Sequence, residues 1–409
     1  MPVPTGDATN AAERTHAAPV PFMRRAGRAL IAATAATALA AGLAPSVANA
    51  QETGAISPES VANDAVLGVV TPESLSQLLY FGNFPGSSGS SMMGIANSLG
   101  FSPNMFAGEP PPSPQPNPKI TETKIVGDPV VEGRYERYLI DSADMKRGIT
   151  VEVHRAANPG APFLYLLDGV GSELPSGFTQ WGAAEQFANE NVNVVIPTGG
   201  QGSMWADWNK QDPVLGISKW ESFISRDLPA VLEPRISTNR NRAIGGISMG
   251  AGAAMTMATR HPDLYKGVFG VSGCYSTDAL GQILTRYTVE SRGATLTNMW
   301  GEPGNDQWVA HDAMINAEKL RGKAIYMSSG TGVAEPGDWD DYNNDVANFV
   351  AGMALEQATG QCTHAADRRL SSLNIPAEID HLPTGMHNWS YYSRQIPVAW
   401  DSIKHSVGL

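Results

Sequence analysis

"NRAIGGISMGAGAAM", Asn241 to Met255, decides how the rest of the chain is read. The short apolar run Arg242–Gly246 has the length of a buried strand. Gly246-Ile247-Ser248-Met249-Gly250 follows at once and fits Gly-x-Ser-x-Gly. From Gly250 to Ala254 almost every residue is small, and the pattern continues as a helix to Arg260, where His261-Pro262 stops it. A serine between glycines at a strand-to-helix junction is a nucleophile elbow. The turn is too tight for side chains at the flanking positions, and glycine has no Cβ to collide. Ser248 then stands at a helix N-terminus, where free N–H groups and the helix dipole favour developing negative charge. The competing reading is a glycine-rich turn that happens to hold a serine. Context separates the two.

That context is an alternation of strands and helices. "APFLYLLDG" (Ala161–Gly169), "NVNVVIPTGG" (Asn191–Gly200), "YKGVFGVSG" (Tyr265–Gly273), "KAIYMSSG" (Lys323–Gly330) and "IPAEIDHL" (Ile375–Leu382) read as buried strands. Tyr135–Asp141 and Thr150–His154 suggest a hairpin, and Trp220–Leu232 a helix. Continuous apolar strands separated by helices predict an α/β fold, a mostly parallel central sheet with helices on both faces. No internal repeat is visible.

A serine hydroxyl needs a base, and in this arrangement the chain order is nucleophile, acid, histidine. His364, His381, His387 and His405 follow Ser248. His364 falls in a helical pattern, His381 inside the last strand and His405 near the C-terminus. His387, in "LPTGMHNWSYY" after that strand, is the expected base. The acid stays open on spacing alone. Glu335, Asp338, Asp340 and Asp341 lie in the loop after "KAIYMSSG", and Glu356 in the helical "FVAGMALEQATG". Loop carboxylates are usually solvated, whereas Glu356 sits among Ala354, Leu355 and Ala358, where an unpaired charge is costly. The oxyanion hole needs two backbone N–H groups. Met249, after the nucleophile, supplies one, and Val170 in "LLDGVG" the other.

The chain has 409 residues, 42% hydrophobic, with a formal net charge of −12. That suits one large catalytic domain, or one domain plus a smaller appendage, and it argues against a nucleic-acid partner, which would need a basic footprint. Arg24, Arg25 and Arg28 precede an Ala/Leu-rich run, Ala29 to Leu43, and then Ala48-Asn49-Ala50. This reads as a secretory signal peptide over 1–50, cleaved after Ala50. An uncleaved anchor is the competing reading, although the run is short and alanine-rich for a span. Residues 51–118 form an N-terminal extension ending in "EPPPSPQPNP", expected to lie extended and pack poorly. The catalytic domain is expected over 119–409. Export places the two cysteines, Cys274 and Cys362, in an oxidising environment, so they are a candidate disulfide worth about 4–5 kcal/mol in the chain-entropy model.

Taken together, "YLLDG" (Tyr165–Gly169), "VVIPTGGQGSMWADW" (Val194–Trp208), "KWESFISRDLP" (Lys219–Pro229), "GGISMGAGAAM" (Gly245–Met255), "NMWG" (Asn298–Gly301) and "GMHNWSYY" (Gly385–Tyr392) resemble the mycolyltransferases of the antigen 85 type, most closely their corynebacterial branch. The resemblance runs from Tyr165 to the C-terminus. It implies an α/β-hydrolase fold and a Ser-Glu-His triad, placed here on Ser248, Glu356 and His387. It puts the oxyanion donors on Val170 and Met249, and substrate contacts on Asp168 and Trp389. Two departures stand out. Gly171 occupies the place of an arginine that helps hold trehalose in the mycobacterial members, and Met327 that of a cysteine near the active site. Cys274 and Cys362 sit elsewhere, and a bridge between them would pin the glutamate's helix against the sheet.

The implied reaction is acyl transfer in the cell envelope, with trehalose monomycolate as donor and a sugar hydroxyl of trehalose monomycolate or arabinogalactan as acceptor. No metal or organic cofactor is implied. The triad alone does not separate this from a secreted carboxylesterase. A non-catalytic envelope or adhesion protein on the same scaffold is the third reading, and an intact elbow argues against it.

Overall fold

The computed structural model describes residues 113–409. The leader read at 1–50, the cleavage after Ala50 and most of the extension lie outside the described residues.

Among the described residues ten strands form one sheet. They are β1 (Lys124–Ile125), β2 (Val130–Glu132), β3 (Tyr135–Ser142), β4 (Arg147–His154), β5 (Ala161–Leu167), β6 (Asn193–Pro197), β7 (Thr238–Ile247), β8 (Gly267–Val271), β9 (Ala324–Ser329) and β10 (Glu378–His381). Their order is β1-β3-β4-β6-β5-β7-β8-β9-β10, with β2 pairing β3 off this path. The β3–β4 hairpin and the β4–β6 pair are antiparallel, and every pair from β6 through β5 to β10 is parallel. The expected mostly parallel sheet is therefore present, with an antiparallel edge.

Strand β5 shows why both faces are covered. All seven of its residues are buried, and alternate ones serve different layers. Phe163, Tyr165 and Leu167 enter one core with Ile244, Val268 and the small residues after Ser248. Leu164 and Leu166 enter the other with Phe269, Tyr391, Ile396 and Trp400. Four helices exceed ten residues among those described: α1 (Met249–Arg260), α2 (Ala279–Glu290), α3 (Val346–Ser372) and α4 (Trp389–Ile403). Helix α1 packs on the first face and α4 on the second. Helix α4 buries Tyr391, Tyr392, Ile396, Ala399, Trp400 and Ile403, the one-sided spacing of an amphipathic helix.

The helix expected over 220–232 carries a π turn at Phe223–Asp227. Pro229 has no N–H for the carbonyl four residues back, so the ladder is already interrupted there. The end of the proline-rich spacer packs better than expected. Pro114 lies against Gly216, and the Asn117 N–H donates to the Lys146 carbonyl at 2.7 Å.

Candidate active site

The elbow forms as the glycines dictate. A Cβ on Gly250 would lie 1.9 Å from the Leu167 carbonyl oxygen at the end of β5, and one on Gly246 would lie 2.4 Å from the Gly250 backbone. Only glycine lets β5, β7 and α1 converge this closely. Ser248 itself takes φ 51° and ψ −120°, a region that non-glycine residues avoid and that is held where the surroundings enforce it. Its N–H donates to the Val271 carbonyl at 2.9 Å, which fixes the turn to β8.

The Ser248 Oγ lies 2.8 Å from His387 Nε2, and His387 Nδ1 lies 2.8 Å from Glu356 Oε2. Across 139 positions of chain, the base expected from the sequence reaches the expected nucleophile. With Nδ1–H donating to the carboxylate, Nε2 is left as the acceptor of the serine proton. The His387 loop is braced from several sides. The Tyr342 hydroxyl donates to the His387 carbonyl, Asn388 caps α4, and the Tyr392 ring meets the imidazole edge-on at 5.4 Å.

Glu356 projects from α3 and is fully buried, more so than its neighbours in the sequence suggested. Among the described residues no lysine or arginine faces it in an ion pair. Its charge is met by hydrogen bonds instead. Oε1 accepts from the Ser272 hydroxyl at 2.8 Å and the Gly330 N–H at 2.7 Å, while Oε2 faces His387. Ser272 was not legible in the sequence. It follows β8, has φ 54°, and its N–H donates to Ser328. Nothing about "GVSG" marks that serine as the carboxylate's partner. The rival carboxylates do other work. Asp338 accepts from Asn388, and Glu335 from Thr384 and Arg394, so this loop holds the histidine's segment without touching the ring. His364 and His381 stack on one another at 3.7 Å, away from the triad.

Cys274 and Cys362 are bridged. Cys274 lies two residues beyond Ser272, and Cys362 lies on α3 beyond Glu356. The bridge therefore joins the segment carrying the carboxylate's donor to the helix carrying the carboxylate.

The turn after β5 abuts the nucleophile, with a Cβ on Gly169 falling 4.0 Å from Ser248 Oγ. Neither the Val170 N–H nor the Met249 N–H has an acceptor among the described residues. Two donors in this position can bind an oxyanion on an acyl group attached to Ser248.

Asp168 is 4% exposed. Its Oδ1 accepts from the Gly169 N–H at 2.7 Å and its Oδ2 from the Gly177 N–H at 2.8 Å. Burial pushes this carboxyl up to about 6 from the usual 3.8, and the two N–H groups offset that only in part. The folded chain thus holds the proton more tightly than the unfolded chain. Stability from this group is full below about pH 4 and is lost as pH rises to about 6, a difference of about 3 kcal/mol. Asp168→Asn, which cannot ionise, is expected to gain melting temperature relative to wild type as pH goes from 4 to 7. Thermal melts across that range test this, and a constant difference would contradict it.

Trp389 occupies the first position of α4. It packs between Phe178, edge-on at 5.4 Å, and Trp181, stacked at 6.4 Å, so much of the indole belongs to an aromatic cluster. It is half-buried rather than open to solvent.

Comparison with known proteins bears on the family and the fold. The Esterase family model matches residues 142–402. Diacylglycerol acyltransferase/mycolyltransferase Ag85B of Mycobacterium leprae is 27% identical over 284 residues, 66% of this chain and 83% of that protein. Its Ag85A counterpart in Mycobacterium tuberculosis (strain ATCC 25618 / H37Rv) is 27% identical over 305 residues, 69% of this chain and 86% of that protein. Among solved structures, Mycobacterium tuberculosis MPT51 (FbpC1) superposes with a TM-score of 0.57 at 23% identity, over 68% of this chain and all of that one. An S-formylglutathione hydrolase from Agrobacterium tumefaciens gives 0.53 at 15% identity, over 70% of this chain and all of that one. The chain belongs to the Esterase family, with the α/β-hydrolase fold, and within it is similar to the antigen 85 mycolyltransferases.

Proposed function

We propose that this chain is a mycolyltransferase of the cell envelope, moving a mycolyl group from trehalose monomycolate to a sugar hydroxyl. The observation that carries the proposal is the chain of 2.8 Å contacts from Ser248 through His387 to Glu356, beside two unpaired backbone donors. Its support is the similarity to relatives named as mycolyltransferases.

In the forward half-reaction Ser248 Oγ attacks the ester carbonyl as His387 Nε2 takes its proton. Glu356 holds the imidazole in the required tautomer and stabilises the imidazolium. The tetrahedral oxyanion rests on the Val170 and Met249 N–H groups. The C–O bond to trehalose breaks, and the leaving oxygen takes the proton from His387. An acceptor hydroxyl then repeats the sequence against the acyl-serine, with its proton passing to His387 and back to Ser248. Asp168 and Trp389 flank the cleft as sugar contacts, since each Asp168 oxygen keeps a lone pair beyond its backbone bond. The leader over 1–50 would carry the protein out of the cytoplasm.

A secreted carboxylesterase is the second reading, favoured by the family's own name and by a hydrolase among the structural neighbours. Product analysis decides between them. Purified protein with trehalose monomycolate and, separately, trehalose, an arabinogalactan fragment or diacylglycerol should give an acylated acceptor by mass spectrometry. Free acid as the sole product in every arm would favour the esterase.

A further inference from the structure

Trp181 has 41% of its surface open to solvent, and among the described residues no other Trp, Tyr or Phe is exposed. It is nevertheless held in place. Its ring lies within 11° of parallel to Trp389, with centroids 6.4 Å apart. Gln186 Nε2 donates both to the Trp181 carbonyl and to that of Ser393 on α4. Trp389 can seat there because Gly177 has no side chain: a Cβ would lie 1.8 Å from the indole. The same Gly177 gives its N–H to Asp168. On its other side Trp389 meets Tyr392 at 5.7 Å, and Tyr392 meets His387. The exposed indole is thus built onto the assembly that carries Asp168 and the histidine.

Its surroundings say what suits it. Residues 169–190 contain no Lys or Arg, but they do contain Glu173, Gln180, Glu185 and Gln186. An anionic lipid surface would call for basic residues. One flat indole in a segment that carries carboxylates and amides, with Gln186 hydrogen-bonded to the Trp181 carbonyl, matches a pyranose, whose C–H face meets the negative face of the ring while its hydroxyls find acceptors. We infer that the exposed indole of Trp181, stacked on Trp389 in the row of rings that leads through Tyr392 to His387, is a platform for a pyranose ring of the carbohydrate substrate. The inference rests on the reading above that the substrate is a sugar ester.

Binding without turnover tests it. In full-length Ser248→Ala protein, Trp181→Ala should weaken trehalose binding, followed calorimetrically, by about tenfold, and Trp181→Phe should keep most of it. In the active enzyme, Trp181→Ala should raise KM for a trehalose monoester far more than KM for p-nitrophenyl butyrate, with kcat little changed. Equal trehalose affinity with and without Trp181, or none in the parent, would overturn the platform. So would equal losses on both esters, which mark a structural role, or a loss confined to a sugar-free acyl phosphonate, which marks a lipid contact. Sugar binding that depends on Trp181, alongside release of free acid only, would leave the platform standing and remove the transferase reading.

Discussion

Ser248→Ala is expected to cut acyl transfer and ester hydrolysis by at least about 10⁴-fold and to abolish labelling by a fluorophosphonate. The effect is large because, in the proposed mechanism, the hydroxyl is the atom that bonds to the acyl group. Among the described residues Ser248 Oγ is the hydrogen-bond partner of His387 Nε2. Water could still be activated by the imidazole, but no acyl-enzyme would form, so transfer to a sugar should fall further than hydrolysis. Folding should survive. The substitution removes one oxygen and leaves the backbone contact to Val271 and the close approach of Gly246 and Gly250 as they are. Residual transfer above about 1% of wild type, in protein that melts normally, would remove Ser248 from the centre of the reaction.

Glu356→Gln should lower kcat by about 10³–10⁴-fold with little effect on KM. The argument is one of donors and acceptors. The carboxylate accepts from Ser272 and Gly330 on Oε1 and from His387 on Oε2. An amide has one oxygen for these two sides. If the oxygen stays with Ser272 and Gly330, the NH₂ faces Nδ1, which must then become an acceptor. The proton moves to Nε2, and the imidazole can no longer take one from Ser248. If the amide flips, its NH₂ opposes the Gly330 N–H in a fully buried place. Either outcome disables the base while leaving the substrate cleft in shape. A rate within tenfold of wild type would pass the orienting role to another group, and Asp338 would be the first to examine.

How much of this was legible depended on whether the signal was local. Ser248 was, because β7, the turn and α1 are consecutive, and the glycines around it answer to contacts within a few residues and with β5. The strand core was legible because β5, β6, β8 and β9 are buried along nearly their whole length and read as mostly apolar runs. His387 followed from chain order after the last strand. Glu356 was one of several candidates until the resemblance favoured it, since spacing along the chain does not say which side of α3 meets the loop after β10. The four loop carboxylates looked equivalent in sequence, yet Asp338 turns out to grip Asn388, the residue next to the base. Ser272 and Gly330 were invisible because their role is a contact with a side chain far along the chain. Trp389 was expected from the resemblance as a substrate contact, but its stacking on Trp181 was not legible. No sequence period relates those two indoles, which are brought together by Gly177 and the close packing of α4.

The most direct measurement is to trap the covalent intermediate. Wild-type protein mixed with trehalose monomycolate for milliseconds and quenched in acid should show the mass of one mycolyl group on the peptide containing Ser248. Addition of a sugar acceptor before the quench should clear that mass into acylated sugar. An adduct on any other residue, or acyl product formed at full rate with Ser248 never modified, would contradict the account.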